Sequence, residues 1–302
     1  MGKPDNKFNC TLDKITRKYK KRGKNMKFTK MHGCGNDYIY VNGFEEIIED
    51  VNEMARKVSH VRFGIGSDGL VVIHPSEIAD FKMKIYNADG SEAAMCGNAI
   101  RCVGKYVYDN KMTDKTTINV ETNSGIKILE LNVKEGSVET VRVDMGAPIL
   151  KPELIPVKFD GENMINQPLV VKGKEYMVTC VSMGNPHCVT FVDDTKSLNL
   201  DEIGSAFENH EIFPDRVNTE FVQIIDRQTV NMRVWERGSD ETWACGTGAC
   251  ACVMACILNG HTDDKVLVHL VGGDLLIEYD RENNTVFMTG PAVTVCHGDF
   301  LG

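Results

Sequence analysis

Two gapless copies of one segment constrain this chain more than any other feature. Residues 82–97 read KMKIYNADGSEAAMCG and residues 231–246 read NMRVWERGSDETWACG, an offset of 149 that also lays Gly35-Asn36 on Gly184-Asn185. A chain duplicated in this way folds as two similar units about an approximate twofold axis. Each copy carries one Cys-Gly turn, MCGN at Cys96 and ACGT at Cys245. Two equivalent thiols at such an axis can face one carbon from opposite sides. That is the arrangement a racemase or epimerase needs.

Short strand-like runs bounded by turn residues dominate each copy, among them Tyr38–Val41, Lys82–Tyr86, Glu175–Val181 and Asn231–Trp235. Helical pattern is scarcer. The clearest helices follow the two Cys-Gly turns, from Asn98 to about Asn110 and from Thr247 to about Asn259, and their small and apolar residues predict burial on most sides. The expected fold is mixed α/β, of the α+β kind. It has two pseudo-symmetric lobes, each a β-rich sheet or barrel around a central helix, with the site in the cleft between them. Gly-Pro signals at MGAP and MTGPA put the lobes at residues 26–149 and 150–291, with 292–302 packing back on the first.

Residues 1–25 stand apart as a basic, solvated extension expected to be disordered. They hold nine Lys and Arg against two Asp, which leaves residues 26–302 at −16 within a net charge of −9. So acidic a body argues against a nucleic-acid partner. No apolar run is long enough to span a bilayer and no secretory signal opens the chain, which predicts a soluble, cytoplasmic protein. The 11 cysteines are spread over a long chain, and reduced thiols are the reading that fits.

A cysteine at a helix N-terminus meets unpaired N–H groups and the positive end of the helix dipole, so its thiol is expected to titrate nearer neutrality and serve as a base. Small residues there, Gly97, Asn98, Gly246 and Thr247, leave the N–H groups open to a substrate carboxylate. Cys102, Cys250, Cys252 and Cys256 fall inside the helices and read as small buried hydrophobes. A zinc site fits poorly, because the spacings are C-x5-C and C-x4-C-x-C-x3-C without a CxxC. A covalent Cys nucleophile paired with His187 would leave the second cysteine idle. GIGSDG at 64–69 matches the dinucleotide fingerprint, but the strand-like LVVIHP follows it where a helix should begin, so it reads as a glycine turn. His187 and Glu236 are candidate partners that tune the two thiols. Asn36, Asn87, Asn185 and Asn218 lie in turn-forming loops; Asn36 pairs with Asn185 and Asn87 with Glu236 at the same offset, so they should line corresponding walls of one cleft. Arg237 could clamp a second substrate carboxylate.

Together MHGCGNDY, GIGSDG, YNADGSEAAMCGN, SMGNPHCV, FPDRVN and WERGSDETWACGTGACA resemble the diaminopimelate epimerase family over residues 26–302. The resemblance implies a cofactor-independent homodimer that interconverts LL- and meso-diaminopimelate in lysine and peptidoglycan biosynthesis. It also implies Cys96 and Cys245 as the thiolate/thiol pair, His187 and Glu236 as their partners, and Gly97, Asn98, Gly246 and Thr247 as the carboxylate cradle. Asn36, Asn87, Asn185, Asn218 and Arg237 would hold the rest of the substrate. Two positions depart from the pattern: Gly69 stands where many relatives have a substrate-contacting Gln, and Ala99 where many have Gly. A racemase or epimerase of another amino acid, of the proline-racemase type, is the alternative on the same fold, and a catalytically silent binding relative is disfavoured because both cysteines are present.

Overall fold

The computed structural model describes residues 25–301, so the basic extension at 1–25 lies outside the described residues apart from Asn25. The first half contains β1 (Met26–Gly33), β2 (Asn36–Asn42), α1 (Val51–Ser59), β3 (Gly69–His74), β4 (Phe81–Asn87), β5 (Glu92–Ala93), α2 (Gly97–Asp109), β6 (Thr117–Thr122), β7 (Gly125–Lys134) and β8 (Ser137–Gly146). The second contains β9 (Gln167–Val171), β10 (Lys174–Ser182), β11 (Pro186–Phe191), α3 (Leu200–Glu208), β12 (Asn218–Asp226), β13 (Thr229–Glu236), β14 (Asp240–Thr242), α4 (Gly246–Leu258), β15 (Lys265–Leu270), β16 (Gly273–Asp280) and β17 (Thr285–Pro291), and β18 (Val293–Phe300) closes the chain.

The offset of 149 carries α1 onto α3 and α2 onto α4 end to end. Strand pairing repeats with it. The first lobe runs β18-β1-β2-β3-β4-β6-β7-β8 and the second β9-β10-β11-β12-β13-β15-β16-β17, with parallel pairs at the same places, β2–β3 and β4–β6 against β11–β12 and β13–β15. The C-terminal β18 therefore stands beside β1 where β9 stands beside β10. Antiparallel pairing of β8 with β17 joins the lobes into one continuous sheet.

Each lobe wraps its strands round one helix, and the composition of that helix explains why. Residues Gly97 to Val107 of α2 are all buried, as are Gly246 and Gly248 to Cys256 of α4. Only small side chains let a strand approach so closely: a Cβ on Gly104 would stand 2.8 Å from Leu131 Cδ2 of β7. Val103, Val107, Val253 and Met254 supply the apolar burial, at about 1.5–3 kcal/mol for each large side chain. The short outer helices α1 and α3 were not expected from the sequence. Asp50 caps α1 by accepting from Glu53 N at 2.9 Å, a contact worth about 1 kcal/mol.

Candidate active site

The two Cys-Gly turns become the N-caps of the two central helices. Cys96 (φ −138°, ψ 122°) caps α2 and Cys245 (φ −116°, ψ 112°) caps α4, both with extended backbone. The Cys245 sulfur accepts from Gly248 N at 3.4 Å and lies 3.5 Å from Thr247 Oγ1. The helix starts abut one another, with Gly246 against Gly97 and Asn98 Nδ2 donating to Ala244 O at 3.0 Å. The first N–H groups of both helices, some already bonded to the capping sulfurs, thus lie side by side.

On the first lobe, Asp68 Oδ2 accepts from Asn36 Nδ2 at 2.6 Å and from Asp37 N at 3.0 Å. That fixes the Asn36 amide so that its Oδ1 accepts from Cys96 Sγ at 3.3 Å and from Asn98 Nδ2 at 3.4 Å. Tyr38 lies within hydrogen-bonding reach of both Cys96 and Asn36. Asn87 donates to Ser91 Oγ at 3.0 Å.

The second lobe repeats the positions with different chemistry. His187, the offset partner of Tyr38, is wholly buried, with Nδ1 at 2.7 Å from Glu220 Oε1 and Nε2 at 3.0 Å from Asn185 Oδ1. Neither ring nitrogen bonds a thiol. Glu236, the offset partner of Asn87, accepts from Thr242 Oγ1 and is within hydrogen-bonding reach of Cys245. Asn218 bridges Pro186 O at 2.8 Å and Arg237 N at 2.9 Å. The Arg237 side chain is exposed at the rim and donates to Asp215 O at 2.9 Å.

Burial governs the titration of these groups. It pushes the Cys96 thiol up, helped by Glu236, against the N–H groups of Ala99 and Asn98 and the Arg101 charge, which pull it down. Cys245 is pushed well up by burial, then by Glu236 and Glu220, against Thr247 and Gly248 N. The expectation that the helix ends bring both thiols toward neutrality is corrected: burial outweighs the N–H groups that the helix starts offer the sulfurs. Burial also raises the carboxyls of Glu236 and Glu220, with His187 opposing both. Inside the helices, Cys102 is pushed up to about 11 and Cys250 to about 12.

Of the residues singled out in sequence, Asn36 and Asn98 bond at the joined helix starts and Glu236 lies beside Cys245, whereas His187 and Asn185 connect through Glu220, Asn218 bonds the backbone of Pro186 and Arg237, and Asn87 bonds Ser91. Three neighbours were not singled out. Asp68 lies in the stretch read only as a glycine turn, Tyr38 is visible only as the offset partner of His187, and Glu220 is a carboxylate within the apolar strand TEFVQII. A Cβ on Gly69 would stand 2.0 Å from Tyr86 O, so that position has no room for a Gln side chain on this backbone. Among the described residues no cluster of three His, Cys, Asp or Glu could hold a metal ion. Two open depressions of about 670 and 520 Å³ lie at the other end of α2, around Tyr106, Asn110 and His297, and neither includes Cys96 or Cys245.

The architecture is that of the two-lobed racemase and epimerase fold. The chain superimposes on a hydroxyproline epimerase from Agrobacterium vitis with a TM-score of 0.65 at 14% identity, covering 92% of this chain and 91% of that one, a likeness of fold alone. The diaminopimelate epimerase family model matches residues 28–151 and 179–295, and this chain belongs to that family. Diaminopimelate epimerases of Agathobacter rectalis and Acetivibrio thermocellus are 63% and 61% identical to it, each over 91% of this chain and 99% and 98% of their own.

Proposed function

We propose that this chain epimerises diaminopimelate, interconverting the LL and meso forms by proton transfer between two cysteines, as a step of lysine and peptidoglycan precursor synthesis in the cytoplasm. The observation that carries the reading is the pair of N-capping thiols on abutting helices. The substrate carboxylate is held by N–H groups of Gly97, Asn98, Gly246 and Thr247, where the dipoles of both helices stabilise the enolate-like charge left when the α-proton departs. One thiolate takes that proton, and the opposite thiol gives its own proton to the other face of the carbon. The sulfur that gave becomes the thiolate, so the reverse reaction starts from the product state.

A thiol pushed up by burial needs a local acceptor to become a base. Glu236, raised and beside Cys245, takes and returns that proton, while Asn36 presents Cys96 as a thiol. His187, braced between Glu220 and Asn185, supplies a polar wall that does not rotate. Asn87, Asn185, Asn218 and Arg237 fix the distal amino acid of the substrate. The lobes are residues 26–149 and 150–291, and the working form is a homodimer.

Purified protein incubated with LL-diaminopimelate, without added cofactor and after dialysis against a chelator, should form the meso isomer. Proline and other amino acids run alongside should not racemise. Turnover of proline in place of diaminopimelate would reverse the assignment.

A further inference from the structure

Among the described residues, Arg101 has no carboxylate partner. Its side chain is wholly buried, and its guanidinium meets only neutral groups: Nη1 donates to Gly97 O at 3.0 Å, Nη2 to Asn98 Oδ1 at 3.0 Å and Nε to Pro291 O at 3.2 Å, with Met288 Sδ and Cys34 Sγ each at 3.7 Å. A guanidinium is a permanent cation, and burying one without a counter-ion is costly. The location adds to the cost. Arg101 stands one turn into α2 and folds back toward Gly97 and Asn98, placing its charge at the end where the helix dipole is already positive. A cation kept there is offset only when an anion arrives.

The slot that holds it is built from both halves of the sheet. A Cβ on Gly33 of β1 would stand 2.8 Å from Nη2, and one on Gly290 of β17 would stand 3.0 Å from Nε. The guanidinium also sets an amide. With Asn98 Oδ1 bound to Arg101, Asn98 Nδ2 must point the other way, to Ala244 O at 3.0 Å and Asn36 Oδ1 at 3.4 Å. Ala244 precedes Cys245, and Asn36 Oδ1 accepts from Cys96. One planar fork therefore sets an amide that ties the frames of both thiols together.

The duplication supplies only one such cation. The offset partner of Arg101 is Cys250 and that of Asn98 is Thr247. A single charge serves the two helix ends, and it draws down the thiols of Cys34, Cys96, Cys102 and Cys250 against the burial that raises each.

We propose that Arg101 is a positioning residue for the proton transfer: its unpaired charge favours an anion at the joined helix ends, and its fork holds Asn98 so that the two cysteines share one frame. The inference rests on the reading of Cys96 as an acid–base group. Among the described residues, the titratable groups that face Cys96 are Tyr38 and Tyr40 from β2, Glu236 from β13, and Arg101 and Cys102 from its own helix, with Asp68 behind Asn36. Of these only Arg101 is a cation.

The test compares wild type, Arg101→Gln and Arg101→Lys, each checked for a cooperative thermal transition. Gln keeps a donor for Asn98 and loses the charge; Lys keeps the charge and loses the fork. The rate of Cys96 labelling by iodoacetamide is followed against pH in the unliganded enzyme by peptide mass, with the exposed Cys296 as internal control. Arg101→Gln should move the Cys96 profile up by about one pH unit, which is roughly tenfold slower labelling at neutral pH. Arg101→Lys should stay within about threefold of wild type, and Cys296 should not change. In turnover, Gln should lower kcat by about 100-fold with a smaller change in KM. Identical Cys96 profiles in wild type and Gln overturn the proposal. If the Gln variant does not fold, Lys decides: wild-type labelling with a kcat lowered about tenfold supports both charge and fork, a shifted profile overturns the role of the charge, and a wild-type kcat overturns that of the fork. Failure of wild type to act on LL-diaminopimelate would sink the substrate assignment while leaving the labelling result to judge Arg101 independently.

Discussion

Gly97 and Gly246 meet where the two helices begin: a Cβ on Gly246 would stand 3.5 Å from Gly97 Cα, and a Cβ on Gly97 3.7 Å from Gly246 Cα. Each glycine follows its capping cysteine, so this contact sets the spacing of the thiols. The same two Cβ positions fall on Met288, at 2.9 Å from Cε for Gly97 and 3.1 Å from Sδ for Gly246. A methyl at Gly97 can displace the free end of Met288. Gly97→Ala should therefore fold and lose about tenfold in kcat, whereas Gly246→Val should wedge the helices apart and lose about 100-fold or more, because misplacing reacting groups by an ångström is enough for that. Steady-state kinetics beside thermal melts decide it. A Gly246→Val enzyme with wild-type kcat would show that the contact does not set the thiol spacing.

The activity should climb with pH. Burial raises the Glu236 carboxyl as well as both thiols, so the fraction of enzyme in which Glu236 is ionised and free to take a thiol proton grows with pH. The measured kcat/KM for LL-diaminopimelate should rise between about pH 6 and 8.5, by close to tenfold per unit on its acid limb. A profile flat across that range would mean that the thiolate forms at much lower pH than the buried site allows.

Glu236 should cost stability where it serves chemistry. Its carboxyl is raised by burial, so the folded state binds its proton more tightly than the unfolded chain does. Stability from this group is full below the unfolded value of about 4.3 and falls as pH rises through the higher folded value. In Glu236→Gln the group cannot ionise. The Tm of the variant minus that of wild type should be near zero at about pH 4.3 and grow more positive toward neutral pH, while kcat falls by about 100-fold. A difference that shrinks with rising pH would mean Glu236 is stabilised as the anion instead.

Mild oxidation should join Cys96 to Cys245. Both cap the same pair of helix ends and Cys96 is only half-buried, whereas Cys102 and Cys250 are wholly enclosed inside the helices. Peptide mapping should find that crosslink, with activity lost on oxidation, restored on reduction and protected by substrate. Inactivation through any other cysteine pair would separate the thiols that the duplication brings together.

Much of this site was legible because a duplication turns sequence offsets into spatial equivalence. The helices after each Cys-Gly turn, expected from Asn98 and Thr247, begin one residue earlier, at Gly97 and Gly246. The pairing of Asn87 with Glu236 follows from arithmetic alone. The outer helices were hidden because each is nine residues long and buries few side chains, chiefly Ala55 and Val58 in one and Leu200 and Phe207 in the other. Two and a half turns is shorter than the stretch over which helical periodicity can be told from chance. The direction of the thiol shifts was hidden for another reason. A helix end is visible in sequence, but the depth at which it is buried depends on strands far along the chain, such as β8 and β17. Arg101 escaped notice because a single Arg among helix residues ordinarily points to solvent; only the folded chain shows it buried without a counter-ion among the described residues.

The central claim is that two different sulfurs handle the two faces of one carbon. It is tested most directly by letting the enzyme act on LL-diaminopimelate in deuterium oxide and reading label in both isomers during the first few per cent of reaction. With two bases, the sulfur that gives its hydrogen to the product has exchanged with solvent, while the other returns to the substrate only the proton it took. The meso product should carry one deuterium at the epimerised carbon and the remaining LL isomer should carry none. Deuterium appearing equally early in both isomers would mean that one base serves both faces, and would contradict the account built on Cys96 and Cys245.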